Sequence, residues 1–235
     1  MNIMITGATS GIGYQLALNY AELGHQVIAC GRNQSKLDQL ALRDKNIKPL
    51  CFDLIQYQDY PDLDSQLDLL IFNAGDCEYI DNSLEFDAKT FEKVININLI
   101  SVAYGLDKWL KQINKNGRLV FISSSAALLP LPRAEAYGSS KAGLSYLAKT
   151  LAISLKEHSI NVTSVHPGFV DTPLTRKNHF PMPMLINSHE AANKIMRGIA
   201  KGKDEINFPF FFVLIMKCLR FLPLTLWQRL ASRMV

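Results

Sequence analysis

The sequence lacks the features that mark several classes of protein. Its four cysteines, Cys30, Cys51, Cys77 and Cys218, include no Cys-x-x-Cys pair and no regular spacing. Buried, reduced thiols are therefore a better prediction than a disulfide framework or a metal site. Glycines interrupt the first apolar residues, so no secretory signal is predicted. We expect a cytoplasmic protein that holds no metal.

The sequence also has no apolar run of the ~20 residues that a membrane-spanning helix needs. Its most apolar stretch, residues 208–216, is soon followed by Lys217, Arg220 and Pro223. From His189 onward there are eight Lys or Arg and three Asp or Glu, a charge of +5, whereas the whole chain carries +4. Two interpretations remain open: this tail packs over a site or a partner subunit, or it lies on a membrane as a basic amphipathic anchor.

A length of 235 residues fits one α/β domain with a large core. Hydrophobic residues make up 48% and charged residues 20% of the chain, as in a globular protein. We predict one catalytic domain over residues 1–207 and an apolar, basic tail over residues 208–235. The chain is too short for an additional substrate domain of ~100 residues.

Apolar runs that alternate with helical periodicity predict a Rossmann-type, doubly wound parallel sheet of about seven strands in an α/β/α sandwich. The predicted strands are 2–6, 26–30, 48–53, 67–72, 118–122, 160–165 and about 205–208. The predicted helices are a run closed by Gly24, then 35–41, 91–109, about 137–158 and about 189–201. Residues 175–188 have no clean periodicity, and we expect a mobile loop there.

A glycine-rich turn follows the first predicted strand. Gly7, Gly11 and Gly13, with Ser10 and Ile12 between them, stand directly before a helical run. In this context the glycines let the backbone approach a pyrophosphate, and the helix N-terminus favours its charge. The turn predicts a dinucleotide site, with a turn that binds no ligand as the less favoured interpretation.

The end of the second strand lacks the acidic residue that would bind the ribose 2′-hydroxyl of NAD. The residues there are Gly31, Arg32 and Asn33. An Arg can accommodate the 2′-phosphate of NADP. Arg32 therefore favours NADP over NAD, with a solvated loop charge as the alternative.

Tyr137 and Lys141 lie one helical turn apart if the segment after Pro132 is helical. A nearby ammonium lowers the pKa of a phenol from ~10 and lets it exchange a proton near neutral pH. Ser124 ends the fifth predicted strand, on the ligand side of a parallel sheet. A Tyr-x-x-x-Lys pair alone is more often part of an ordinary surface helix, so the hypothesis depends on the accompanying motifs.

Three other polar residues raise the question of a role. Asn96 and Asn98 lie among apolar residues of a predicted helix, and a buried amide there must be hydrogen-bonded. His166 precedes Pro167-Gly168 at a strand end. A turn residue is a better prediction for His166 than a catalytic base.

Together these motifs resemble the classical short-chain dehydrogenases/reductases over roughly residues 1–175. Tyr137 and Lys141 are similar to the family's catalytic pair, and Ser124 has the family's spacing. Asn98 matches the helix Asn that holds a proton-relay water. The other similar residues belong to the cofactor site, and they are Gly7, Ser10, Gly11, Ile12, Gly13, Arg32, Asp53, Asn73, Ala74, Gly75, Pro167, Gly168, Val170 and Thr172.

The resemblance implies hydride transfer between C4 of a nicotinamide, as NADP or alternatively NAD, and a carbonyl or carbinol carbon. Tyr137 would act on the substrate oxygen as acid or base, Ser124 would polarise it, and Lys141 would lower the Tyr pKa and hold the ribose. Asp53 would contact the adenine, and Asn73-Ala74-Gly75 would stabilise the sheet. A homodimer or homotetramer, a small-molecule partner and no nucleic acid are also implied.

Two departures from the family pattern bear on this interpretation. Ser10 stands where many NADP-dependent members have a basic residue, and the Phe-rich tail replaces a glycine-rich terminus. The first hypothesis is an NADP-dependent carbonyl reductase or alcohol dehydrogenase acting on an apolar substrate. The alternatives are a cofactor-binding sensor or scaffold without turnover, and an enzyme like the nucleotide-sugar epimerases.

Overall fold

The computed structural model describes residues 1–178 and 180–234, so that His179 and Val235 lie outside the described residues. The strands are β1 (Asn2–Thr6), β2 (Gln26–Gly31), β3 (Ile47–Cys51), β4 (Leu67–Phe72), β5 (Ile113–Ile122), β6 (Asn161–Pro167), β7 (Val170–Asp171), β8 (Ile186–Asn187) and β9 (Glu205–Phe208). Seven of them form a parallel sheet in the order β3-β2-β1-β4-β5-β6-β9. Strands β7 and β8 pair separately.

Helices cover both faces of the sheet. They are α1 (Gly11–Glu22), α2 (Gln34–Ala41), α3 (Ala88–Ile95), α4 (Ser101–Trp109), α5 (Glu135–Ser154), α6 (Ser188–Ala200), α7 (Phe210–Leu219) and α8 (Leu224–Ala231). One core cluster packs α1, α2 and α6 on the sheet, and a second packs α4 and α5 on its other face. The predicted three-layer Rossmann-type fold is confirmed.

Strands β1, β4 and β9 have the predicted bounds. The central residues of β1 and residues 69–71 of β4 are fully or nearly fully buried, because helices cover both faces of a parallel sheet. Burial on both faces requires continuous apolar runs, and such runs are easy to locate in a sequence. The edges of the other elements shift by a few residues.

Three predicted elements differ from the structure. The helix predicted over 91–109 begins earlier, at Ala88, and passes through a π-helical turn at Asn96–Ile100. Strand β5 begins at Ile113, so that Gly117 lies inside it, and α5 ends at Ser154. The ends of these elements depend on contacts with residues that are distant in the sequence. The polar residues and glycines near those ends do not mark them.

The region predicted as a loop over 175–188 contains a 3₁₀ turn at Thr175–Lys177 and strand β8. The tail folds as α7 and α8, which share a small apolar cluster with Leu128 and Leu129. Trp227 of α8 donates a hydrogen bond to the Pro130 carbonyl oxygen at 2.8 Å. None of the helices in the described part of the chain has the length and apolar character needed to cross a bilayer.

The cysteines are all free thiols, as predicted, but they are not all buried. Cys30 and Cys77 are buried, whereas Cys51 and Cys218 are exposed. Cys51 is exposed because it ends β3, an edge strand. Cys218 is exposed because it lies on the outer side of α7.

Candidate active site

The glycine turn joins β1 to α1 with the geometry that its sequence predicts. Gly7 and Gly11 have φ angles of +68° and +56°, which favour glycine. A Cβ on Gly7 would lie 2.7 Å from the Cα of Ala74, so two turns meet there backbone to backbone. Helix α1 begins at Gly11 and directs its N-terminus at the cleft, where it favours an anion.

The turn at Asn73, Ala74 and Gly75 is held against the glycine turn. The Asn73 side-chain amide donates to the carbonyl oxygens of Thr6 (3.0 Å) and Gly7 (3.1 Å). The backbone N–H groups of Asn73 and Ala74 donate to the Thr6 hydroxyl at 3.0 and 3.1 Å. These bonds join the ends of β1 and β4 into one rigid rim of the cleft.

Gly13 lies beneath this rim, and Gly13→Ala is expected to destabilise the protein. An added Cβ would overlap the Asn73 amide nitrogen and the Gly7 carbonyl oxygen, and overpacking of this kind costs about 1–3 kcal/mol. Denaturant unfolding measures the loss. Gly138→Ala is the matched control, because its Cβ would meet only atoms at 3.7 Å; equal stability of the two variants would contradict the close packing.

The side chains of Ser124, Tyr137 and Lys141 meet at one wall of the cleft. Ser124 follows β5 and accepts a hydrogen bond from the Ala126 N–H at 3.1 Å, and its hydroxyl also interacts with that of Tyr137. Tyr137 and Lys141 are one turn apart on α5, with the ammonium nitrogen 5.9 Å from the ring centroid. The ammonium is buried and donates to the Ile122 carbonyl oxygen at 2.9 Å.

The expected net decrease in the pKa of Tyr137 is not found in this structure, because burial outweighs the other influences. Burial raises the pKa of Tyr137 above its ordinary value, the Cys77 thiol adds to the increase, and the Ser124 hydrogen bond opposes it. Burial also lowers the pKa of Lys141 to about 8. The phenol is therefore protonated at neutral pH, as a proton donor must be.

Asn98 is completely buried in the π-helical turn, a distortion that often occurs at functional sites. Its amide nitrogen donates to the Asp76 carbonyl oxygen and to the Ser140 hydroxyl, both at 2.9 Å. Its amide oxygen accepts from the Asp76 N–H at 2.8 Å. Ser140 in turn donates to the Tyr137 carbonyl oxygen at 2.7 Å, so Asn98 links the β4 rim to α5.

The cleft between these elements has a volume of about 330 Å³. Most of the predicted site residues line it, namely Gly7, Ser10, Gly11, Ile12, Arg32, Asp53, Asn73, Ala74, Gly75, Ser124, Tyr137, Lys141, Pro167, Gly168, Val170 and Thr172. Gly13 and Asn98 do not line it and support the residues that do. Gly11 and Thr172 approach each other across the cleft, since a Cβ on Gly11 would lie 3.0 Å from Thr172.

Aromatic side chains continue from the wall that Ser124, Tyr137 and Lys141 form, and no motif in the sequence points to them. Tyr79 interacts with Cys77, and Cys77 and Tyr137 both help to raise the pKa of Tyr79. The rings of Tyr79 and Phe180 are 5.6 Å apart, and Phe169 lies 6.1 Å from Phe180. Phe212 of α7 completes the series at 5.6 Å from Phe169.

His166 was predicted as a turn residue, and this prediction is wrong. It lies in β6 and is completely buried, because β6 continues to Pro167, which pairs with Phe208 of β9. Its Nε2 is 3.2 Å from the Ser145 hydroxyl, and Nδ1 is 3.4 Å from a Glu205 carboxylate oxygen. Burial lowers the pKa of His166 to about 4, so a neutral ring ties β6 to α5.

Residues 1–181 match the family model described as short chain dehydrogenase. The chain belongs to this family. It is therefore an oxidoreductase of the class that interconverts CH–OH and C=O groups.

Individual proteins resemble this short-chain dehydrogenase along most of its length. An uncharacterized oxidoreductase of Myxococcus xanthus is 33% identical, over 98% of this chain and 96% of the relative. L-xylulose reductase of Mus musculus is 32% identical over 74% of each chain. The structure of a short-chain dehydrogenase from Sphingobium yanoikuyae in complex with NADPH superposes with a TM-score of 0.75 at 24% identity, covering 89% of this chain and 88% of the other.

Proposed function

We propose that this short-chain dehydrogenase reduces a carbonyl group of an apolar small molecule with NADPH. The observation that carries the proposal is the meeting of Ser124, Tyr137 and Lys141 at one wall of a cleft whose opposite rim is a glycine turn. NADPH, when bound, supplies a hydride to the carbonyl carbon. Tyr137 gives its proton to the carbonyl oxygen, so that one hydride and one proton produce the alcohol.

The cleft residues fit such a dinucleotide. Gly7 and Gly11 present backbone without side chains beside the N-terminus of α1, which suits a pyrophosphate. Asp53 would contact the adenine, and Arg32 the 2′-phosphate. Residues on the opposite side would receive the nicotinamide amide, namely Pro167, Gly168, Val170 and Thr172. NAD remains the alternative cofactor.

The chain's own side chains divide the work on the substrate oxygen. Tyr137 holds the proton that is transferred, and its raised pKa keeps the phenol protonated at neutral pH. Ser124 donates a hydrogen bond to the same oxygen and polarises the carbonyl. Lys141 holds the ribose hydroxyls and stabilises the negative charge left on Tyr137, and Asn98 holds the relay that returns a proton from solvent.

The aromatic series supports an apolar substrate. It runs from Tyr79, beside the catalytic wall, to Phe212, which packs against Gly168 of the cleft. Ketones and aldehydes of increasing chain length, assayed by NADPH oxidation, test this. We expect kcat/KM to rise with chain length; no turnover with any of these carbonyl compounds would contradict the proposal.

Arg32→Asp is expected to reverse the cofactor preference. Arg32 is exposed at the end of β2 and lines the cleft, and its charge would be replaced by one that repels a 2′-phosphate and accepts a bond from a 2′-hydroxyl. The NADPH/NADH ratio of dissociation constants should shift about 10–100-fold, since charged hydrogen bonds contribute ~1.5–3 kcal/mol. Fluorescence titration measures both constants.

Arg43→Asp is the matched control for this change, because Arg43 is also exposed but lies beyond α2, outside the cleft. Its ratio should equal that of the wild type. Equal ratios in the Arg32 and Arg43 variants would remove Arg32 from cofactor selection.

The proposal also includes the organisation of the chain. Residues 1–207 act as the catalytic domain, and residues 208–235 form an added surface element. Exposed apolar side chains on α5, such as Tyr146 and Ile153, support a homodimer or homotetramer. Size-exclusion chromatography with light scattering tests the assembly.

A further inference from the structure

Helix α7 presents an apolar face to solvent. Phe210, Phe211, Leu214 and Ile215 are 66, 67, 44 and 53% exposed. They lie at helical i, i+4 spacings, so they share one side of the helix. Four large apolar side chains together in water mark an interaction surface rather than scattered surface residues.

The opposite face of α7 is already packed against the rest of the chain. Val213 and Met216 are buried in a cluster with Leu128 and Leu129, which lie just after the Ser124 turn. The packing of the tail on the domain therefore does not need the outer side chains. We call Phe210, Phe211, Leu214 and Ile215 the outer face.

A basic pocket adjoins this outer face. It has a volume of about 220 Å³, and Phe210 belongs both to its lining and to the outer face. Lys194 and Arg197 line it from α6, and Lys201 and Lys203 line it from the turn that follows this helix. Its lining includes four cations and no carboxylate.

The pocket cations are available for an anion. In the described part of the chain, Lys194 pairs with Glu190 at 3.3 Å, but Arg197, Lys201 and Lys203 form no ion pair. All of them are exposed. A phosphate group is the ligand that such a cluster of Lys and Arg favours.

The sequence that follows the pocket residues also has an excess of positive charge. Residues 206–235 contain Lys217, Arg220, Arg229 and Arg233 and no acidic residue. A second copy docked on the same face would bring two such cationic tails close to each other. An anionic surface would instead complement Arg220, Arg229 and Arg233, whereas Lys217 already pairs with Glu205 at 2.9 Å.

We propose that the basic pocket and the outer face of α7 together dock this protein on an anionic phospholipid bilayer. The pocket takes the phosphate of a lipid headgroup, and the outer face enters the boundary between headgroups and acyl chains. Helix α7 lies in the plane of the interface, as amphipathic helices with flanking cations do. This proposal does not depend on the enzymatic activity.

Co-sedimentation of the full chain with vesicles tests the docking. We expect binding to phosphatidylcholine vesicles that contain phosphatidylglycerol and little binding to phosphatidylcholine alone. Arg197→Glu/Lys201→Glu should weaken the vesicle partition coefficient by more than about 30-fold, since each lost cation contributes about fivefold and the two new carboxylates repel the anionic surface. Phe211→Ser/Leu214→Ser should weaken it about 10-fold or more, because apolar burial is lost.

Lys45→Glu/Lys48→Glu is the matched charge control, because both lysines are exposed at β3, the opposite edge of the sheet. It should bind vesicles like the wild type, and circular dichroism should show all variants folded. Equal recovery with neutral and anionic vesicles would overturn the proposal. Loss of binding in the charge variant only, with displacement by inorganic phosphate, would indicate a free-phosphate site and would also overturn it. The proposal would also be overturned if the wild type were a dimer that does not bind vesicles and the Phe211→Ser/Leu214→Ser variant were a monomer.

Discussion

Tyr137→Phe is expected to lower the rate of carbonyl-dependent NADPH oxidation by about 10²–10⁴-fold, the usual contribution of a positioned general acid. The substitution removes one hydroxyl, the donor of the transferred proton, and keeps the ring that packs beside Lys141. The glycine turn lies on another wall of the cleft, so NADPH binding should change little. Steady-state kinetics and a fluorescence titration of NADPH measure the two effects separately.

Tyr146→Phe is the matched control, because Tyr146 lies on the same helix but is 76% exposed. It should retain the turnover of the wild type. If Tyr137→Phe also retained it, the phenol would not be the proton donor, and another group, such as the Cys77 thiol beside it, would need testing. Burial raises the pKa of that thiol to about 11, so it too is protonated at neutral pH.

The parts of the fold that local sequence determines could be predicted. Strands β1 and β4 are mostly apolar runs with the predicted bounds, and the positive φ angles of Gly7 and Gly11 follow from the turn between β1 and α1. Tyr137 and Lys141 face the same cleft because helical geometry brings residues four apart together. Each of these inferences uses neighbours in the chain.

The parts that depend on distant contacts could not be predicted. The π-helical turn at Asn96–Ile100 exists where Asn98 reaches Asp76 and Ser140, which are remote in sequence. His166 is buried because β9 pairs alongside β6, and the Pro-Gly that follows His166 gives no sign of that pairing. The pKa of Tyr137 depends on its burial, which the spacing to Lys141 does not reveal.

Lys141→Met is expected to lower kcat/KM for carbonyl reduction about 10²-fold, the usual loss when one electrostatic partner of a developing negative charge is removed. The ammonium is buried, and burial lowers its pKa to about 8. Because only the protonated form stabilises a phenolate, the kcat/KM of the wild type should fall as the pH rises through about 8. Tyr137 does not account for this decrease, since its own pKa is raised above the ordinary value.

The pH profile distinguishes this electrostatic role from a merely structural one. In Lys141→Met the decrease near pH 8 should disappear, because the group that titrates is gone, whereas a packing defect would lower the whole profile without changing its shape. Lys149→Met, an exposed position on the same helix, should keep both the rate and the profile of the wild type. A decrease near pH 8 that persists in Lys141→Met would assign the titration to another group and would contradict the role of the ammonium.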